Sequence, residues 1–101
     1  MQAKSTLRWK AGEKLLAKNQ AKQALYQFNE AIRLERNFRY HNSRGLAYLR
    51  LGESQHAVED FMEAIRLEPD DAIAYYNLVH VYALEGEEKA ARQLIKRFKD
   101  L

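Results

Sequence analysis

Apolar residues recur three and four positions apart along almost the whole chain, and short polar runs separate one stripe from the next. Leu7, Ala11, Leu15 and Leu16 form the first stripe over residues 5–17, and Ala21, Ala24, Leu25, Phe28, Ala31, Ile32 and Leu34 the second over 21–35. Tyr40, Leu46, Ala47, Tyr48 and Leu51 mark a third over 38–51, and Ala57, Val58, Phe61, Ala64, Ile65 and Leu67 a fourth that stops before Pro69. A fifth carries Ala72, Ile73, Tyr75, Tyr76, Leu78, Val79, Tyr82 and Leu84 up to Gly86, and a sixth carries Ala90, Ala91, Leu94, Ile95 and Phe98 towards Leu101. This spacing places each stripe on one side of an α-helix, so the pattern predicts six helices. Links of two to four residues force antiparallel neighbours, which makes three hairpins. Ser5 or Thr6, Ser54 and the Pro69-Asp70-Asp71 run are the predicted N-caps, and Gly52 is placed for a left-handed residue past a helix end.

Two of the stripes are nearly the same sequence. Residues 28–35, Phe-Asn-Glu-Ala-Ile-Arg-Leu-Glu, and residues 61–68, Phe-Met-Glu-Ala-Ile-Arg-Leu-Glu, differ only at Asn29 against Met62 and lie 33 positions apart. Gly52 and Gly86 are 34 apart. Self-similarity at such a period marks a stacked-repeat architecture, in which each hairpin buries its apolar face against the next.

Composition narrows the class further. With 101 residues, 47% of them hydrophobic, there is material for one modest core and no second domain. The lack of cysteine removes disulfides and thiolate metal sites and suits a reducing compartment, so a cytoplasmic location is the expectation. No apolar run is long enough for a membrane span, and the N-terminal segment leads into a charged helix instead of an apolar leader. The net charge of +3 conceals an asymmetry: residues 1–50 hold eleven basic and three acidic side chains, and residues 51–101 six basic and eleven acidic.

The residues at the repeat period resemble the tetratricopeptide repeat, a helix–turn–helix unit of about 34 residues. Gly45, Tyr48, Ala57, Phe61, Ala64 and Pro69 stand at the family's spacings in the middle unit; Gly12, Ala24, Phe28 and Ala31 do so in the first, and Leu78, Tyr82 and Ala91 in the third. The resemblance covers residues 5–101. It implies an all-α, right-handed helical solenoid of three repeats (about 5–37, 38–71 and 72–101) in a single domain, 1–101. Small residues explain the pattern physically: Gly45 opposite Ala57 lets two helices approach, Ala31 and Ala64 do so between hairpins, and Phe28 and Phe61 fill the space beside them. His41 and Arg44 replace the family's tryptophan and leucine, which implies thinner outer packing. Phe98 replaces an alanine, which fits a hairpin with no following helix crowding it.

The resemblance also implies a concave groove lined by the first helix of each hairpin. Thr6, Trp9, Glu13 and Leu16, then Arg39, Asn42, Leu46 and Leu49, then Ile73, Tyr76 and His80 would face it, a mixture suited to binding a peptide segment of a partner protein. The plainer alternatives are that Trp9 covers the free end of the stack and that Leu46 and Leu49 are buried between helices. The family's two-carboxylate clamp for chaperone tails needs lysine, asparagine and arginine where this chain has Trp9, Glu13, Ser43, Ile73 and Asn77, so that mode is disfavoured. A second function class is nucleic-acid binding by Lys10, Lys14 and Lys18 with Lys4, Arg8 and Lys22 nearby. The bland reading, a solvated face, weighs more, and any such binding is expected to be weak and lost at physiological salt. A third is weak self-association through the uncovered C-terminal helix, by Leu94 and Leu101. His41, His56 and His80 fall on separate helices without acidic or cysteine partners at ligand spacing, so no metal or other cofactor is expected. No phosphate loop or nucleophile motif occurs, and the chain reads as a protein-binding scaffold and not an enzyme.

The small-residue pattern makes a testable prediction. Ala57→Leu should cost about 1–3 kcal/mol by overpacking, whereas Lys14→Leu should leave the midpoint of chemical denaturation nearly unchanged.

Overall fold

A computed structural model describes residues 3–100. The six stripes become α1 (Lys4–Ala17), α2 (Ala21–Leu34), α3 (Phe38–Arg50), α4 (Ser54–Leu67), α5 (Ala72–Leu84) and α6 (Glu88–Lys99), and no strand occurs among the described residues. Each odd helix packs on the even helix after it, and α2 on α3 and α4 on α5 join the hairpins into one stack measuring 41 × 27 × 18 Å.

One turn closes all three hairpins. The backbone N–H of Gln20, Glu53 and Glu87 donates to the carbonyl of Leu15, Tyr48 and Tyr82 at 2.9, 2.9 and 2.7 Å, respectively. The residue before each donor has positive φ: Asn19 at 61°, Gly52 and Gly86 at 76°. Asparagine tolerates this conformation next best to glycine, so the first turn needs no glycine.

The predicted caps are only partly those observed. Asp71 caps α5 by accepting from the Ile73 N–H at 3.2 Å, and Asn37, read only as part of a polar turn, caps α3 by accepting from Arg39 N–H at 2.9 Å. Ser5 and Ser54 lie inside their helices, because the chain becomes helical two residues earlier than a Ser5 cap would require and one residue earlier than a Ser54 cap would; Ala3 and Glu53 occupy the cap positions without a side-chain bond. The two hydroxyls reach across the fold instead, Ser5 Oγ donating to Glu35 Oε1 at 2.6 Å and Ser54 Oγ to Glu85 Oε1 at 2.7 Å.

The packing centres on two phenylalanine rings. A Cβ added to Gly45 would meet Phe61 Cε1 at 2.5 Å, and one added to Gly12 would collide with the ring of Phe28. The nearest surface to Gly45 is therefore the Phe61 ring. Ala57 and Ala24 are fully buried, with Phe28, Phe61, Ala31 and Ala64. One cluster holds Leu16, Ala21, Ala24, Phe28 and Ala47, another Ala57, Phe61, Leu78 and Val81, and Leu46 packs against both. Burying each phenylalanine contributes roughly 1.5–3 kcal/mol.

The second repeat is not thinly packed at His41 and Arg44. Asp60 on α4 is buried and accepts from Arg44 Nε at 2.9 Å and Nη2 at 2.8 Å; His41 Nδ1 lies 3.0 Å from its Oδ1. Arg44 Nη1 also donates to Asn29 Oδ1 on α2 at 3.0 Å, so the network fastens the second hairpin to the first. Burial opposes the Arg44 charge, yet the hydrogen bonds and charge of Asp60 hold its pKa above the ordinary guanidinium value. At the C-terminal end the Phe98 ring lies 5.2 Å from that of Tyr75, and Leu94 is half-buried against the second cluster. The apolar strip assigned to the end of the stack is thus partly covered from within; Leu101 lies outside the described residues.

Gly45→Ala should destabilise the protein by about 1–3 kcal/mol despite alanine's better helix propensity, because the ring must shift. Combined with Phe61→Leu the cost should be less than the sum of the two single substitutions, and a double-mutant cycle by denaturation reads the difference.

Candidate functional site

Helices α1, α3 and α5 line one side of the stack, and polar bonds fix how they sit beside each other. Between α1 and α3, residues 34 apart meet, one position beyond the 33-residue register that relates the first hairpin to the second. Trp9 Nε1 donates to Ser43 Oγ at 2.8 Å, Arg50 Nη1 donates to the Leu16 carbonyl at 2.7 Å, and the hydroxyls of Thr6 and Tyr40 are 3.5 Å apart. Ser43 Oγ in turn donates to Glu13 Oε1 at 2.8 Å. Trp9 therefore lies along the seam between α1 and α3, its ring 5.8 Å from that of Tyr40, and does not cover the free end. The Tyr40 hydroxyl lies 3.1 Å from both Ser5 Oγ and Glu35 Oε1, shares its one proton between them, and closes the foot of the seam.

The boundary between α3 and α5 is different. Asn42 Nδ2 donates to Asp71 Oδ2 at 2.6 Å, joining α3 to the cap of α5. Asn42 Oδ1 and Asn77 Nδ2 are buried with no hydrogen-bond partner among protein groups. The two side chains are only 7% and 8% exposed, so an unpaired acceptor and an unpaired donor sit on adjacent helices. Such groups usually find partners, and leaving one unpaired costs about 1–3 kcal/mol.

Helix α5 contains no charged residue, and a helix apolar on every side is normally buried on every side. Here Ala74, Tyr75, Leu78 and Val81 are buried against the core, while Ile73 is 62% and Tyr76 72% exposed. His80 is exposed beside them, its ring parallel to that of Tyr76 with centroids 6.5 Å apart. Arg39 is also exposed, its guanidinium 4.8 Å from the centroid of the Phe38 ring. Of the other residues assigned to this side, Glu13 is half-buried and held by Ser43, Leu46 and Leu49 are half-buried against the cores, and Leu16 is a core residue.

The sequence did not single out Ser43 or Asp71 as polar groups tying this side together. The signal was present near the period: Trp9 and Ser43 are 34 apart, as are Thr6 and Tyr40, one position beyond the 33-residue register. A carboxylate cluster at the foot of α5 also went unread. Glu68 has its pKa raised, first by a hydrogen bond shared with Asp70, then by the charges of Asp70 and Asp71, with Arg39 opposing weakly. Among the described residues no group of three or more His, Cys, Asp or Glu is arranged to hold a metal ion, and no helix is long and apolar enough to cross a membrane.

Two tetratricopeptide-repeat family models match the chain, one over residues 39–71 and one over 61–93. The TPR repeat-containing thioredoxin TTL4 of Arabidopsis thaliana is 33% identical over 85 residues, 83% of this chain and 12% of the relative. The tetratricopeptide repeat and J domain-containing co-chaperone DNJ1 of Cryptococcus neoformans var. grubii is 29% identical over 86 residues, 84% of this chain and 16% of the relative. The chain thus spans less than a fifth of either of these proteins. Among solved structures, the second TPR of Spaghetti (RPAP3), bound to the HSP90 peptide SRMEEVD, matches with a TM-score of 0.87 at 18% identity, covering 96% of this chain and 91% of that one. The Sgt2 TPR domain from Aspergillus fumigatus matches with a TM-score of 0.89 at 20% identity, covering 96% and 65%.

A raised carboxyl pKa has a definite sign in stability. The Glu68 contribution favours folding below the pKa of the unfolded chain and is lost as pH rises through the higher folded value. Asp70→Asn should therefore lower the Glu68 pKa and weaken this gain on acidification, both readable by carbon-detected NMR titration beside denaturation at a series of pH values.

Proposed function

The chain belongs to the tetratricopeptide-repeat family, and on that premise we propose that it is a protein-interaction scaffold, without catalysis of its own, whose α1/α3/α5 side is a groove for a peptide segment of a partner. The observation that carries this reading is α5, an uncharged helix that leaves Ile73 and Tyr76 in solvent. Large apolar surface of this kind favours association, and tyrosine and tryptophan are frequent anchors of binding energy. Trp9, Glu13, Arg39, Asn42, Leu46, Ile73, Tyr76 and His80 make up the proposed contact surface.

The neighbouring Spaghetti domain holds a peptide that ends in acidic residues. In this chain the clamp positions are Trp9, Glu13, Ser43, Ile73 and Asn77, without a cation, and the first three are tied to each other by hydrogen bonds. A hydrophobic peptide with few acidic residues is therefore the better ligand.

Selection from a random peptide display library, followed by titration monitored through Trp9, the sole tryptophan, tests the reading. Trp9→Ala, read by anisotropy of a labelled peptide, and Tyr76→Ala should each weaken the selected peptide by about tenfold or more, as anchors do. Lys10→Gln/Lys14→Gln/Lys18→Gln should change it little, and the peptide SRMEEVD should not compete. If only the lysine substitutions matter, the groove is not the site.

A further inference from the structure

A second surface lies at the opposite end of the stack from α6. A cleft of about 560 Å³ opens there between α1 and α2, with Leu7, Ala11 and Leu34 as its floor and Lys4, Arg8 and Arg33 at its rim. Leu7 is 55% and Leu34 41% exposed. The repeat register explains the opening. Thirty-three residues on from Leu7, Ala11 and Gln27 stand Tyr40, Arg44 and Asp60. In the second hairpin Arg44 fills this place, bound to Asp60 and reaching Asn29 of the preceding hairpin. In the first hairpin Ala11 stands there and leaves it empty. The exposed face of α1 is thus the counterpart of the face by which α3 packs on α2, and a helix is the shape that fits it.

Charge narrows the occupant. Lys10 and Lys14 occupy the register positions of Ser43 and Ala47, which are buried against the first hairpin. Lys4, Arg8, Lys10 and Lys14 form no ion pair with a carboxylate among the described residues, Arg8 reaching only Gln27 Oε1 at 3.2 Å, whereas Arg33 is paired with Glu30 at 3.1 Å. A second copy stacked head to tail would bring its α6 onto this face, and α6 carries Lys89, Arg92, Lys96, Arg97 and Lys99 against Glu88 as its one acid. Cations would then meet cations. We propose that the α1/α2 end face docks an acidic amphipathic helix of a partner protein, its apolar stripe in the Leu7–Ala11–Leu34 cleft and its carboxylates on Lys10, Lys14, Lys4 and Arg8. This surface is separate from the groove and does not depend on it.

The test uses three synthetic helical peptides of about 18 residues: one with a leucine stripe flanked by glutamates, one with the same stripe flanked by lysines, and one with the acidic composition but the leucines scrambled. Binding is followed by fluorescence anisotropy at two salt concentrations and by amide shifts in the intact chain. The acidic striped peptide should bind, shift Leu7, Ala11 and Leu34, and weaken as salt rises. Lys10→Glu/Lys14→Glu, both at exposed positions and checked for folding by circular dichroism, should weaken it by about tenfold or more, and Tyr76→Ala should leave it unchanged. Equal binding of the scrambled or lysine-flanked peptide overturns the proposal, as do shifts confined to α3 and α5. Tighter binding of single-stranded DNA or of phosphatidylserine vesicles, or burial of Leu7 in a concentration-dependent homo-oligomer, also overturns it.

Discussion

Everything in this stack depends on a ring laid against a backbone without a side chain. Phe28 over Gly12 and Phe61 over Gly45 set the separation of the two helices in the first and second hairpins, and the buried alanines around them are consequences of that separation. The third hairpin has Val79 and Ile95 at the equivalent positions and uses aliphatic and aromatic contacts instead: Leu78 and Val81 enter the Phe61 cluster, and Phe98 lies against Tyr75. The same period therefore supports two kinds of hairpin, one keyed by an aromatic–glycine contact and one filled by aliphatic and aromatic side chains.

The number, order and pairing of the helices were legible because helical periodicity and short links are local properties. The repeat positions were legible because the chain nearly copies itself. Individual hydrogen-bond assignments were not. Ser5 and Ser54 have the chemistry of caps, but where a helix starts to within one or two residues depends on what the hydroxyl finds across the fold, and Glu35 and Glu85 are about thirty positions away. The Arg44–Asp60–His41 network escaped for a similar reason, since its members lie 16 and 19 residues apart and meet only after the hairpin closes. The left-handed Asn19 was hidden because asparagine also occurs in ordinary polar turns.

The candidate surface was legible in part. Stacking the hairpins in register brings Trp9, Asn42, Ile73, Tyr76 and the rest to one side, but how far each is available depends on depth, which spacing does not encode. Leu46 serves two cores, Glu13 is held by Ser43, and Asn42 is nearly enclosed, whereas Ile73 and Tyr76 stand free. The lysine stripe of α1 first looked like a solvated face; placed in the repeat register, part of it falls where another helix would sit.

The seams between hairpins are unequal. Side-chain hydrogen bonds at Trp9, Thr6, Ser5 (from Tyr40), Arg44 and Arg50 cross between the first hairpin and the second, whereas Asn42 to Asp71 and Ser54 to Glu85 cross from the second to the third. In a linear array each unit is held only by its neighbours, so a difference between seams becomes a difference in local opening free energy. The first two hairpins form the clamped body, and α5–α6 form an outer leaf joined to it by fewer side-chain hydrogen bonds and by the contacts of Leu78 and Val81 with the Phe61 cluster. Because Ile73 and Tyr76 lie on that leaf, a ligand spanning α3 and α5 would act as a strut, converting part of its binding free energy into slower amide exchange in the leaf.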